Sequence, residues 1–334
     1  MSSNTTFINY LNHLSSDLNR YLSIGILLFG TVGNILNCLA LSQRPLRSNP
    51  CVFFFLASSI ASIITLISGV LVRLLSDWSL SLDLTNTINW LCKVRVYVLF
   101  NSRTIASWLI MLATCDRWLS SSVHAHYRQM STLKNAQRNI IVVIFLSSIA
   151  YAQIFYCYEA NLTNAPLQCN GKNTWCRLLI NSEFVSITVL IPSMTMFIFG
   201  ILTILNIRKV TLRPNQSGIK TGNVQIINNK EHPQRLKKSD RYLLLMLLIQ
   251  VILLTLFSLP QAILNLYNNI TLYETESPLN AAINNFILNL FLLLTYVTNG
   301  MPFYIYTLSG GTIFRKALRD SVQGCIHKLT GRRR

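Results

Sequence analysis

Seven apolar stretches dominate this chain, each long enough to cross a bilayer as a helix. A span needs roughly 20 consecutive, predominantly apolar residues. The stretches fall at about 21–43, 51–75, 90–119, 139–158, 182–208, 241–267 and 281–308. Only 12% of the 334 residues are charged, against roughly a quarter in a soluble chain. The apolar residues come in continuous runs and do not alternate. Lipid offers the backbone no hydrogen bonds, and a helix satisfies its own. The predicted fold is therefore all-α, a seven-transmembrane-helix bundle with a short C-terminal surface helix. Pro192, Pro260 and Pro302 stand inside spans five, six and seven and predict kinks there.

The chain divides into three regions. Residues 1–20 are polar and read as an extracellular N-terminus. They contain no apolar core of a cleavable signal peptide, so the first span is expected to be both address and anchor. Residues 21–308 form the transmembrane domain. Residues 309–334 form a cytoplasmic amphipathic helix and a basic tail. In that tail Phe314, Leu318, Val322 and Cys325 recur at helical spacing, with Arg315, Lys316 and Arg319 off their face. This predicts a helix lying on the inner membrane surface. Cys325 is a candidate for palmitoylation, and neither a CaaX box nor a GPI signal is expected. The polar stretch at about 209–239 has no apolar period and reads as a flexible loop.

Charge sets the orientation. With the N-terminus outside, the inner segments carry 22 of the 29 Lys and Arg and only four of the 11 acids. The whole net charge of +18 then lies on the inner side, as the positive-inside rule requires. The basicity is explained by topology and by attraction to anionic membrane lipid, with no nucleic acid needed. The sequons at Asn4, Asn161 and Asn269 fall outside and are candidates for glycosylation; the one at Asn215 falls inside. The plasma membrane is the expected location.

Several chemistries are not expected. The five histidines lie outside the predicted spans, so an intramembrane metal or haem site has no ligands there. Span seven holds no lysine for a retinal Schiff base. No HExxH, GxSxG or Walker motif occurs, and the spans supply no nucleophile–base pair. The chain reads as a non-enzyme without cofactors. A seven-span transporter or channel is the alternative, but inverted repeats and interrupted helices with midplane ion sites are not evident.

Arg103 is the most informative single residue. It sits mid-span, eleven residues after Cys92, about 16 Å deeper at 1.5 Å per residue. A mid-membrane cation usually faces a cavity and marks function. A structural partner such as Asn101, Glu183 or a backbone carbonyl is the other reading. Four cysteines, Cys92, Cys157, Cys169 and Cys176, lie on the oxidising outer side. They permit two disulfides in any of three pairings.

The ordered set of motifs resembles a rhodopsin-like (class A) G-protein-coupled receptor. Cys92 and Asp116-Arg117-Trp118 are spaced like that family's Cys and DRY, and Gly33-Asn34 looks like its GN motif. Pro192 and Pro260 stand where its kinked spans would, and Phe314-Arg315 resembles the start of its surface helix. The subfamily look is closest to invertebrate neuropeptide (FMRFamide-type) receptors. Departures are also plain. Ser62 replaces the span-two Asp, Phe257-Ser258-Leu259-Pro260 replaces CWxP, and NPxxY is degenerate around Pro302.

The resemblance implies an extracellular, peptide-like ligand and a heterotrimeric G protein on the cytoplasmic face. It implies a Cys92–Cys169 disulfide, with Cys157–Cys176 as the second. It implies a switch in which Arg117, beside Asp116, pairs with Asp240 at the foot of span six, with Tyr306 as the span-seven tyrosine. The position of the amine-binding Asp is Leu99, so a ligand bearing an anion fits better. The expected ligand pocket is lined by Arg73, Arg103, Gln261 and Asn265, the last two sharing one face of span six.

Overall fold

A computed structural model describes residues 2–78, 84–122, 124–162, 168–212, 231–270, 277–309 and 311–329. The backbone of Asp240, Asn4, Asn269 and Cys325 is helical, but their side chains lie outside the described residues, as does all of Asn215. Among the described residues, seven helices are long and apolar enough to cross a membrane: Thr5–Leu41, Pro50–Ser76, Asn89–Ser121, Leu133–Cys157, Thr174–Arg208, Leu247–Asn268 and Pro278–Gly300. They are spans one to seven below. The chain is a seven-helix bundle and an integral membrane protein.

Span one belongs to a single 40-residue helix, Ser2–Leu41. At 1.5 Å per residue it is far longer than the roughly 30 Å hydrocarbon core. Its polar first turns therefore stand clear of the lipid tails, yet they are helical. They hold helix because they pack: Leu11 and Asn19 are buried. The Ser15 hydroxyl accepts from Asn289 of span seven at 2.8 Å.

Span six likewise continues a longer helix, Glu231–Ile270. The expected flexible loop is thus helical from Glu231 onward. Glu, Gln, Arg, Leu and Lys there are good helix formers. Pro233 falls in the first turn, where an N–H has no partner to lose.

Two spans contain π-helical turns. In span five the turn covers Phe184–Leu190, ending two residues before Pro192. In the i→i+5 register the partner of the Ile187 carbonyl would be the N–H that Pro192 lacks. Trp108 of span three supplies the missing donor: its Nε1 reaches the Ile187 carbonyl oxygen at 2.9 Å. In span two the turn covers Leu66–Leu71. There the Tyr296 ring rests on Gly69, where an added Cβ would come within 2.5 Å of it.

Span seven ends at Gly300, and a new helix, Pro302–Ser309, begins after Met301. Span one secures this break. Asn34, fully buried, donates through Nδ2 to the carbonyls of Gly30 and Asn299, both at 2.8 Å. Gly30 and Gly300 face each other so closely that a Cβ on Gly30 would lie 3.1 Å from the Gly300 Cα.

The tail helix runs Gly311–Leu329. Phe314 is buried against Tyr306 and Phe303. Ser321 accepts from Gln43 at 2.7 Å and donates to the Leu39 carbonyl, fixing the helix beneath span one.

Candidate functional site

One end of the bundle is tied by two disulfides. Cys92 bonds Cys169, and Cys157 bonds Cys176. Between them lies a hairpin of β1 (Tyr158–Glu159) and β2 (Asn170–Gly171), paired antiparallel. The first bond holds the hairpin to the top of span three, and the second ties the end of span four to the start of span five. The hairpin also docks on the segment before span three. Asn161, at φ 59°, donates its backbone N–H to the Asn86 carbonyl at 3.1 Å and its Nδ2 to the Thr87 carbonyl at 2.9 Å.

Arg103 lies deep in the bundle, only 8% exposed. Its Nη2 donates to Gln261 Oε1 at 3.1 Å. Its guanidinium sits 4.6 Å from the Phe184 ring centroid and 5.6 Å from that of Tyr296. Electron-rich ring faces stabilise a desolvated cation. Neither expected side-chain partner is used: Asn101 bonds Ser148 at 3.1 Å, and Glu183 accepts from Gln153.

The four expected pocket residues divide. Arg103 and Gln261 meet, and Gln261 is buried. Asn265 is half-buried one turn away on the same span. Arg73 turns toward spans one and seven, donating to Asn19 Oδ1 at 3.3 Å and to Asn289 Oδ1. Arg95 donates to the Ser68 carbonyl at 3.3 Å and to Thr85 at 2.8 Å.

Beside Arg103 lies a cluster that sequence patterns did not reveal. Thr104, Tyr151 and Thr188 form a closed triangle of hydroxyls at 2.6–3.1 Å, joining spans three, four and five. All three are buried. One hydroxyl on each of three helices has no spacing that a linear reading detects.

At the other end, Arg117 is 5% exposed and its Nη2 donates to Asn49 Oδ1 at 3.1 Å. The same Asn49 oxygen caps the helix of span two by accepting from the Cys51 N–H at 3.0 Å. Asp116 accepts from Ser131 Oγ at 2.6 Å, in the segment linking spans three and four. Tyr306 is fully buried, and its hydroxyl donates to Gln250 Oε1 of span six at 2.9 Å. Its ring stacks at 4.9 Å on Phe55 of span two. Gln250 gave no motif signal; a buried amide in an apolar helix was the cue available.

No family model matches the chain. Over 271 residues it is 22% identical to a protein described as the neuromedin U receptor homolog nmur-2 of Caenorhabditis elegans. The match covers 76% of this chain and 66% of that protein, so the chain spans just under two thirds of its relative.

Proposed function

We propose that this chain, which resembles the rhodopsin-like (class A) G-protein-coupled receptors of the invertebrate neuropeptide type, transduces binding of an extracellular ligand into activation of a heterotrimeric G protein. The observation that carries the reading is the similarity to a receptor homolog on a bundle of seven spans. The ligand is a neuropeptide, and neuromedin-type peptides are the first to test. The receptor sits in the plasma membrane with its N-terminus outside, and it catalyses nothing itself.

The ligand enters at the disulfide-tied end, between spans two, three, five, six and seven. Its anionic group is read by Arg103, with Gln261 and Asn265 supplying uncharged hydrogen bonds and Arg73 a second cation. Burial of Arg103 favours this role, because a charge-assisted hydrogen bond is strongest where water is excluded. Gln261 follows Pro260 directly, so a ligand that drew Arg103 away would act at the kink of span six. At the cytoplasmic end Arg117, Asp116, Asp240 and Tyr306 form the switch. Its two states differ in how the foot of span six meets spans three and seven, and the ligand biases them. Asn4, Asn161 and Asn269 carry glycans and Cys325 carries palmitate.

The test is ligand-dependent nucleotide exchange on a G protein in washed membranes, preceded by a peptide-library screen with a promiscuous G protein. Exchange stimulated by one peptide family supports the reading. Binding without exchange, in membranes where a control receptor couples, overturns it.

A further inference from the structure

Below Arg103, between spans two, three, five, six and seven, lies a small cavity. Its volume is about 20 Å³, room for about one water molecule. Its wall includes Ser62, Arg103, Ser107, Ser258, Thr298 and Asn299. No carboxylate lines it.

The donors and acceptors of this wall do not balance. Ser107 and Thr298 spend their protons on backbone carbonyls, of Thr104 at 3.0 Å and Thr295 at 2.6 Å. Asn299 spends one of its two Nδ2 protons on the Thr295 carbonyl at 3.2 Å. Ser62 and Ser258 are buried, and neither hydroxyl has a protein partner among the described residues. Arg103 has five N–H donors, and one hydrogen bond among the described residues, to a neutral amide. A buried cation, two unspent hydroxyls and no negative charge thus converge on one void.

We propose that this cavity binds a small monovalent anion, chloride at physiological composition. Water would satisfy the two hydroxyls but would leave the guanidinium charge uncompensated. Aromatic faces offset part of a cation's desolvation, and a counter-ion offsets the rest. A halide accepts hydrogen bonds from every direction, which suits donors that arrive from three different spans. Binding closes the contact among spans two, three and six, so the anion stabilises the bundle as a whole. The site stands on this geometry alone, whichever ligand the receptor takes.

The experiment uses the full chain purified in detergent, at constant ionic strength. Its thermal unfolding midpoint is followed as gluconate is replaced by chloride, bromide or iodide. Chloride at ten times its Kd predicts a rise of about 2 °C, growing with the logarithm of chloride concentration above the Kd. The rise should be smaller with iodide, which is too large for the void. Ser258→Ala should raise the apparent chloride Kd about tenfold, the equivalent of one lost hydrogen bond to a charged group. Ser62→Asp places a carboxylate in the cavity and should make the midpoint independent of chloride. A wild-type midpoint equal in gluconate and chloride overturns the proposal and leaves a water-filled cavity. So does a chloride effect that rises in proportion to concentration, as a bulk salt effect would, or one that Ser258→Ala and Ser62→Asp both share unchanged. None of these readouts involves the peptide or the G protein, so failure here leaves the receptor reading standing.

Discussion

Arg103 and Gln261 are 158 positions apart in sequence and 3.1 Å apart in space, joining the middle of span three to the residue that follows the span-six proline. The bond is charge-assisted and lies away from water. Arg103→Ala should therefore lower ligand potency at least about tenfold with normal surface expression. A desolvated charge-assisted bond costs about 2–5 kcal/mol when one partner is removed. Arg103→Lys should recover part of the loss if a point charge suffices, and little if the planar fork is read. Concentration–response curves for the peptide found in the screen decide between them.

Trp108 and Pro192 form a coupled pair through one carbonyl. Trp108→Phe keeps the ring and removes the donor, leaving the Ile187 oxygen exposed to hydrocarbon. The expected loss is about 1–3 kcal/mol. Pro192→Ala restores a backbone N–H, so the double variant should be more stable than Trp108→Phe alone. Additive losses in a double-mutant cycle of unfolding midpoints would separate the two residues.

Gly69 is fixed by the ring it carries. A Cβ there would press within 2.5 Å of Tyr296. Gly69→Ala should destabilise the protein by about 1–3 kcal/mol, the usual cost of overpacking. Tyr296→Leu in the same background should relieve it. Midpoints in detergent that are unchanged by Gly69→Ala would show that span two yields freely at its π-turn.

The Cys157–Cys176 bond closes a loop of 19 residues. Its removal by paired serine substitution should cost about 3 kcal/mol. Tryptic peptides under non-reducing conditions should show Cys92 linked to Cys169 and Cys157 linked to Cys176. A Cys92–Cys176 peptide would contradict the hairpin as described.

Arg117→Ala should abolish nucleotide exchange and leave peptide affinity within about threefold, because the site lies at the opposite end from the ligand. Asp240→Ala should raise basal exchange. Basal exchange equal to wild type would remove Asp240 from the switch and leave Asn49 among the groups that hold Arg117.

The seven spans were legible because a bilayer imposes a length on each apolar run, and that length survives any detail of packing. Gln261 was legible for a similar reason. A polar residue just past a proline, on one helical face with Asn265, has few places to turn in lipid. The partners of Arg73 were not. Asn19 lies in a polar segment whose helicity depends on Leu11 and Asn19 packing beside span seven, and no local pattern encodes that packing. The π-turns were hidden as well. Register shifts of one residue leave hydropathy unchanged, and Gly69 alone hints at the shift in span two. Ser62 and Ser258 read as departures from a family pattern; only the fold places both on the cavity beneath Arg103.

The seam between spans one and seven has a mechanical consequence. Gly30 and Gly300 touch with no side chain between them, and Asn34 grips the Asn299 carbonyl at the break. Two backbones in contact cannot slide past each other without lifting apart, so the upper part of span seven is stationary against span one. The segment beyond Met301 is held to span one as well: Tyr304 donates its hydroxyl to the Phe29 carbonyl at 3.1 Å, and Phe303 packs on Gly33. The same segment carries Tyr306, whose only described hydrogen bond crosses to Gln250. Span one therefore holds span seven on both sides of the break, and the short helix Pro302–Ser309 is a bridge from span one to span six.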